Sequence, residues 1–176
     1  MSETTELKHN FPNREAWQKA LDAAPSKRLL KSRAIGMGKK SKYLPIEHQQ
    51  AIQDIFFDEF DVIDEKYQVI LNEVVCTVKC QGLPSYPNSE HRTFTGSGAK
   101  PIQCNAGASV DKFPKGKKTN ALEYNLPAAR TTAISKALET IGNKFGRNLG
   151  RAVVDDYNMA NQFKESKKKK KKKSKK

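Results

Sequence analysis

At 176 residues the chain has room for one core of ordinary domain size with flanking tails, and too little for two full domains. Hydrophobic residues make up 36% and charged residues 30%, enough for a modest core, while no run approaches the ~20 apolar residues of a membrane helix or resembles a secretory signal. The net charge of +14 is unevenly placed: Lys167–Lys173, Lys175 and Lys176 supply nine of the positive charges, which leaves only +5 on the rest. Such a lysine block repels itself and buries nothing, so it is expected to be disordered and to attract polyanions without reading their sequence. A solubilising tail is the plainer reading, and nuclear import is another.

In chain order, Asn10 to Ala24 sets Phe11, Trp17, Ala20, Leu21 and Ala24 at helical spacing between Pro12 and Pro25. A short amphipathic piece, Lys27 to Arg33, follows, and Gly36 to Tyr43 reads as a flexible basic loop with one aromatic. Pro45 suits the first position of a helix that Ile46, Ile52, Ile55, Phe56 and Phe60 continue and that Asp58, Glu59 and Asp61 close. From Val62 the period changes, and Tyr67 to Cys80 is rich in the β-branched residues that favour a pleated surface. Gly82 to Ser89 is turn chemistry, Arg92–Thr95 and Lys100–Cys104 return as strands, and Gly107 to Lys118 reads as a basic loop or hairpin tip. Pro127 opens the strongest helix, expected to reach about Gly150, and Asp155 to Phe163 forms a last short helix.

Helices, strands and then a helix predict an α+β fold: an antiparallel meander of three to four strands packed against a long C-terminal helix, with N-terminal helices before it. The expected organisation is a helical arm over residues 1–26, a core over 27–154, and a short helix with the disordered lysine tail over 155–176.

Catalytic chemistry finds little footing. A zinc site built from Cys76, Cys80, His91 and Cys104 is disfavoured, because four residues of strand span ~13 Å, too far for ~2.3 Å bonds to one metal. The same spacing excludes a Cys76–Cys80 disulfide, and the odd, low cysteine count suits a reducing compartment. Gly38-Lys39 and Gly116-Lys117 are not phosphate loops, since Arg33 and Asp111 stand where a glycine is needed and lysine follows where a hydroxyl is needed. His9, His48 and His91 lie apart without a nucleophile motif. The expectation is no enzyme, no metal and no cofactor.

The helix from Pro127 is more informative. At 100° per residue from Arg130, Ile134, Leu138, Ile141, Phe145, Leu149 and Ala152 fall in an apolar stripe between ~20° and ~100°. Lys136, Thr140, Asn143, Lys144, Arg147 and Arg151 fall between ~220° and ~320°. Segregated cations on one helix face suit a phosphate-tracking surface, because a solvated face mixes signs. Gly142, Gly146 and Gly150 recur every four residues and each costs about 1 kcal/mol in a helix interior, so either another backbone approaches them closely or the helix ends near Gly142. Arg33 with the loop lysines Lys39, Lys40 and Lys42 and with Tyr43 suits single-stranded nucleic acid, where cations meet phosphates and a ring stacks on a base. The competing reading pairs Arg33 with Glu47 or Asp54.

Two blocks carry a family resemblance. Ser32-Arg33-x-x-Gly36-x-Gly38-x-Lys40-x-x-Tyr43, followed by a His48-containing helix, resembles the start of the Rad-fifty-two family of single-strand annealing proteins. Ala129-Arg130-x-x-Ala133-Ile134-Ser135-x-Ala137-Leu138, then Phe145-Gly146-x-x-Leu149-Gly150, resembles that family's closing helix. The resemblance covers roughly Leu30 to Arg151 and is similar in length to short, phage-encoded members.

It implies an ATP-independent protein of recombination and repair that assembles into rings or helices, holds single-stranded DNA in a basic groove and pairs complementary strands there. Arg33 and Tyr43 match positions lining that groove, while Glu139, Thr140 and Asn143 stand where eukaryotic members are basic. Arg130, Lys136, Lys144, Arg147 and Arg151 are therefore the helix cations assigned to DNA, and Lys112, Lys115, Lys117 and Lys118 a second, outer contact strip. The expected partners are single-stranded DNA, further copies of the chain and a single-strand-binding protein, with no membrane. The expected setting is the cytoplasm of a bacterial or phage-infected cell, or the nucleus in a eukaryote. The alternatives are a general RNA or DNA chaperone, or an interaction protein whose lysine tail docks to acidic partners.

Overall fold

The change from helical to strand period falls earlier than the sequence suggests, and the reason is local. The structure, a computed structural model, describes residues 9–34, 40–105 and 116–149. Helix α2 (Ile46–Phe56) runs straight into strand β3 (Phe57–Ile70), so Asp58, Glu59 and Asp61 lie on a strand and do not close a helix. A bulge between Phe57 and Glu59 turns Phe57 and Phe60 to one side, where both rings lie over Gly82. Three-residue spacing created by a bulge imitates the helical period.

Before these elements come helix α1 (Arg14–Asp22), capped by the Asn13 side chain accepting from the Ala16 amide at 2.9 Å, and a 3-10 turn at Lys27–Leu29. Strands β1 (Lys31–Ala34) and β2 (Lys40–Tyr43) pair antiparallel with Arg33 opposite Ser41. Strand β1 thus takes up the end of the expected amphipathic piece and β2 the second half of the expected loop, whose first half, residues 36–39, lies outside the described residues. After β3, strands β4 (Glu73–Pro84) and β5 (Arg92–Pro101) complete a three-stranded antiparallel sheet in the order β3-β4-β5. Gly82 thus belongs to a strand, and the two short strands expected around Thr95 and Lys100 are one continuous strand. Helix α3 (Ala121–Ile141) covers β4 and β5. The fold is α+β, a meander against a long C-terminal helix, as the element order predicts.

The sheet and α3 meet unusually closely. Ala129, Ala133 and Ala137 are fully buried, and a Cβ built on Gly96 would run into the Ala133 carbonyl and the Ala137 amide. At Gly98 it would stand 2.6 Å from the Ala129 carbonyl oxygen and the Ala133 nitrogen. Small residues on both partners let backbone approach backbone. From Ala129 onward the buried face of α3 is therefore the alanine row plus Leu138, with Ile134 and Ile141 only partly covered, and Ala121 and Asn125 are buried in its first turns. Ala129 and Ala133 fall at ~260° and ~300°, inside the arc the helical wheel assigns to polar residues, and Ala137 at ~340° lies just beyond it.

Helix α3 also begins six residues before Pro127, because Ala121, Leu122 and Leu126 join the core that holds Ile102. Tertiary burial outweighs the preference of proline for a first turn. The helix stops at Ile141 and gives way to a 3-10 turn at Asn143–Phe145, so the stripe drawn to Gly150 does not form. Gly142 lets the chain pass Leu21 of α1, whose Cγ would be 2.5 Å from an added Cβ, and Gly146 takes φ +94°, a left-handed turn that favours glycine. Both glycines serve contacts within the chain; Gly150 lies outside the described residues.

A second core joins α1, α2 and the sheet end: Trp17, Phe56, Phe57, Tyr86, Leu138 and Phe145 are buried together, and the Trp17 indole donates to the Phe56 carbonyl at 2.8 Å. Cys76 and Cys80 project from β4 into the helix-facing core, and burial pushes the Cys80 thiol up to about 11. Inert, buried thiols fit the absence of a thiol motif in the sequence. The last short helix expected at Asp155–Phe163 and the lysine tail lie outside the described residues.

Candidate nucleic-acid interface

Because the alanine row of α3 faces the sheet, the residues on its flank turn outward beside β5. Thr132 and Lys136 lie there, with Thr131, Ser135 and Glu139 one step further round. Period-two alternation along β5 places Lys100 on the same side as Gly96 and Gly98, at the strand's end. The β1–β2 hairpin supplies the opposite wall with Arg33, Lys42 and Tyr43, and Phe145, Gly146 and Leu149 close one end. Together they enclose an open groove of about 470 Å³.

Its electrostatics are lopsided. Arg33, Lys42, Lys100 and Lys136 line it against a single carboxylate, Glu139, which pairs with Lys136 at 2.7 Å. The Arg33 guanidinium lies 5.6 Å from the centre of the Tyr43 ring, a cation–π contact that orients both side chains toward the groove. The competing pairing of Arg33 with Glu47 fails, because Lys31 takes that carboxylate at 2.9 Å. That hydrogen bond raises the Lys31 pKa and lowers that of Glu47. Among the described residues no ion pair joins Arg33 to Asp54.

A second, smaller cleft of about 380 Å³ lies between the outer edge of β5 at Thr95–Ser97 and α3, and Arg147 lines it. It shares Lys136 and Glu139 with the first, so the two clefts are contiguous. Arg147 also donates to the Thr140 carbonyl and so caps the last turn of α3.

The other expected site residues lie elsewhere. Arg130 sits on the opposite flank of α3, where its Nε donates to Glu65 at 2.7 Å and that bond raises its pKa further. Lys40 is exposed on β2, and Lys144 lies on the 3-10 turn after Gly142; neither lines these two clefts. With the helix ended at Ile141, Lys144 cannot share a face with Lys136. Lys117 pairs across a bridge with Cys104, and the Lys118 amide donates to Gln103 at 3.0 Å, both beyond β5 and away from the groove. Lys39, Arg151, Lys112 and Lys115 lie outside the described residues.

Sequence reasoning missed Lys100 and the hydroxyls Thr131, Thr132 and Ser135. A signal for Lys100 existed in the alternation Phe94, Gly96, Gly98, Lys100, readable only once β5 is seen as one strand. No family model and no curated protein matches this chain.

Proposed function

We propose that the protein binds single-stranded DNA along the groove between the β1–β2 hairpin and α3 and anneals complementary strands without ATP, in the manner of the Rad-fifty-two family. The observation that supports this best is the gathering of Arg33, Lys42, Lys100 and Lys136 with Tyr43 in one open groove. Cations spaced along a groove track a phosphate backbone whatever its sequence, and an aromatic at the wall offers a face to a base. Thr131, Thr132 and Ser135 add neutral hydrogen-bonding groups on the α3 side. Phosphate neutralisation supplies the affinity, and bases turned outward supply the pairing. Homologous recombination and repair are the processes that such an activity serves.

A multi-subunit assembly belongs to the same reading. Strand β3 is an edge of the sheet and carries Asp58, Glu59, Asp61, Asp64 and Glu65, while Ile63, Val69, Ile70 and Leu71 along it and at its turn are about half or more exposed. An acidic, partly apolar edge on an otherwise basic body suits the basic surface of another copy, packed head to tail. Among the described residues no helix is long and apolar enough to cross a membrane.

The test is annealing of two labelled complementary oligonucleotides without ATP, with a scrambled pair as control. The full-length protein should accelerate only the complementary pair, by ~10-fold or more over the spontaneous rate, and should run as an assembly of several chains in solution. Equal compaction of both pairs would instead mark a general nucleic-acid chaperone.

A further inference from the structure

The groove contains its own anion. Glu139 is the one carboxylate among the described residues lining either cleft, and it lines both. It stands with Lys136 at the junction, with Arg33, Lys42 and Lys100 in the larger cleft and Arg147 in the smaller. The 2.7 Å pair holds the Lys136 ammonium, and the Glu139 side chain is the less exposed of the two, at 30% against 54%. A phosphate approaching Lys136 therefore finds its cation occupied and meets a like charge. Pairs three residues apart on an exposed helix face are weak, so a phosphate can displace this one.

We propose that Glu139 is a built-in competitor for the phosphate backbone. It occupies Lys136 in the free protein and must be displaced before a strand can run unbroken from Arg33 to Arg147. The groove then grips a strand in two segments with a loose join, which lets the bound strand shift register while it searches for its complement. This inference rests on the nucleic-acid reading of the groove.

The test is a double-mutant cycle on the full chain, reading the affinity for a 30-nucleotide oligothymidylate across a salt series. The lysine tail is common to all variants and cancels in the comparison. Glu139→Gln should bind about three- to tenfold tighter at low salt, with a salt slope steeper by about 0.7, one additional phosphate contact. Lys136→Ala alone should lower affinity only about twofold, because Glu139 already holds that cation, and in the Glu139→Gln background it should lower it severalfold and erase the gain. Unchanged melting temperatures would separate this role from a structural one. Glu139→Gln with wild-type affinity and slope, or Lys136→Ala with the same effect in both backgrounds, would overturn the competitor role alone. Failure of the unaltered protein to bind the oligonucleotide at any salt would overturn the nucleic-acid reading itself, and this inference with it.

Discussion

Replacing Arg33 by alanine is expected to abolish strand annealing and to lower single-stranded DNA affinity by at least about tenfold, the scale of a lost charge-assisted hydrogen bond. Arg33 stands on an exposed strand with no carboxylate partner among the described residues, and its guanidinium lies over Tyr43. The substitution removes a phosphate contact and the cation that orients the ring. The salt slope of binding should fall by about 0.7, the share of one phosphate on a single strand. Stability should change by less than about 0.5 kcal/mol, since an exposed cation without a partner supports little of the fold. Arg33→Lys should restore part of the affinity but not the planar stacking over Tyr43. A lowered melting temperature with an unchanged slope would place Arg33 in the scaffold and remove it from the groove.

Gly96→Val is expected to prevent folding, and Gly96→Ala to cost about 3 kcal/mol or more. A single methyl there meets backbone atoms of Ala133 and Ala137, which cannot rotate away as a side-chain end could. Helix α3 would have to lift from β5, opening the alanine row and widening the groove that α3 and the hairpin define. Ala99→Val adds bulk three residues along the same strand but on its open face, and should be neutral or slightly stabilising. Circular dichroism and thermal melts of the three variants check this. A folded Gly96→Val protein with a wild-type melting temperature would contradict the close packing of α3 on the sheet.

The parts of the fold that the sequence makes legible are those where side chains alternate strongly. Val74, Cys76, Val78 and Cys80 point inward in strict period two, so the inward face of β4 is legible. The single strand expected over Tyr67 to Cys80 is nevertheless broken by a turn at Leu71-Asn72 into the end of β3 and the start of β4. The β1–β2 hairpin is not, because Lys31-Ser-Arg-Ala34 and Lys40-Ser-Lys-Tyr43 hold no apolar alternation, and both strands stand largely in solvent. Alanine hides the inner face of α3 in a similar way. Ala129, Ala133 and Ala137 weigh little on a hydrophobic scale, yet they form the contact that fixes the helix, because Gly96 and Gly98 lie opposite.

The same logic divides the site. Arg33, Lys42, Tyr43 and Lys136 are legible as charge and aromatic character in two separate motifs, and the structure brings those four to one groove. Arg130 looks equivalent in the sequence, but one helical step further round it meets Glu65 on β3. Lys144 and Arg147 depend on where α3 stops, which Gly142 and its contact with Leu21 decide from a distant part of the chain.

On the proposed reading the folded body, and not the lysine tail, holds the strand. The most direct test is the salt dependence of oligothymidylate binding by a protein ending at residue 166, without Lys167–Lys176. With Arg33, Lys42 and Lys100 each contributing about 0.7 while Glu139 holds Lys136, binding should persist with a slope of about 2, and replacing those three by alanine should remove it. No binding by the shortened protein at low salt would show that the attraction belongs to the tail and would contradict the groove.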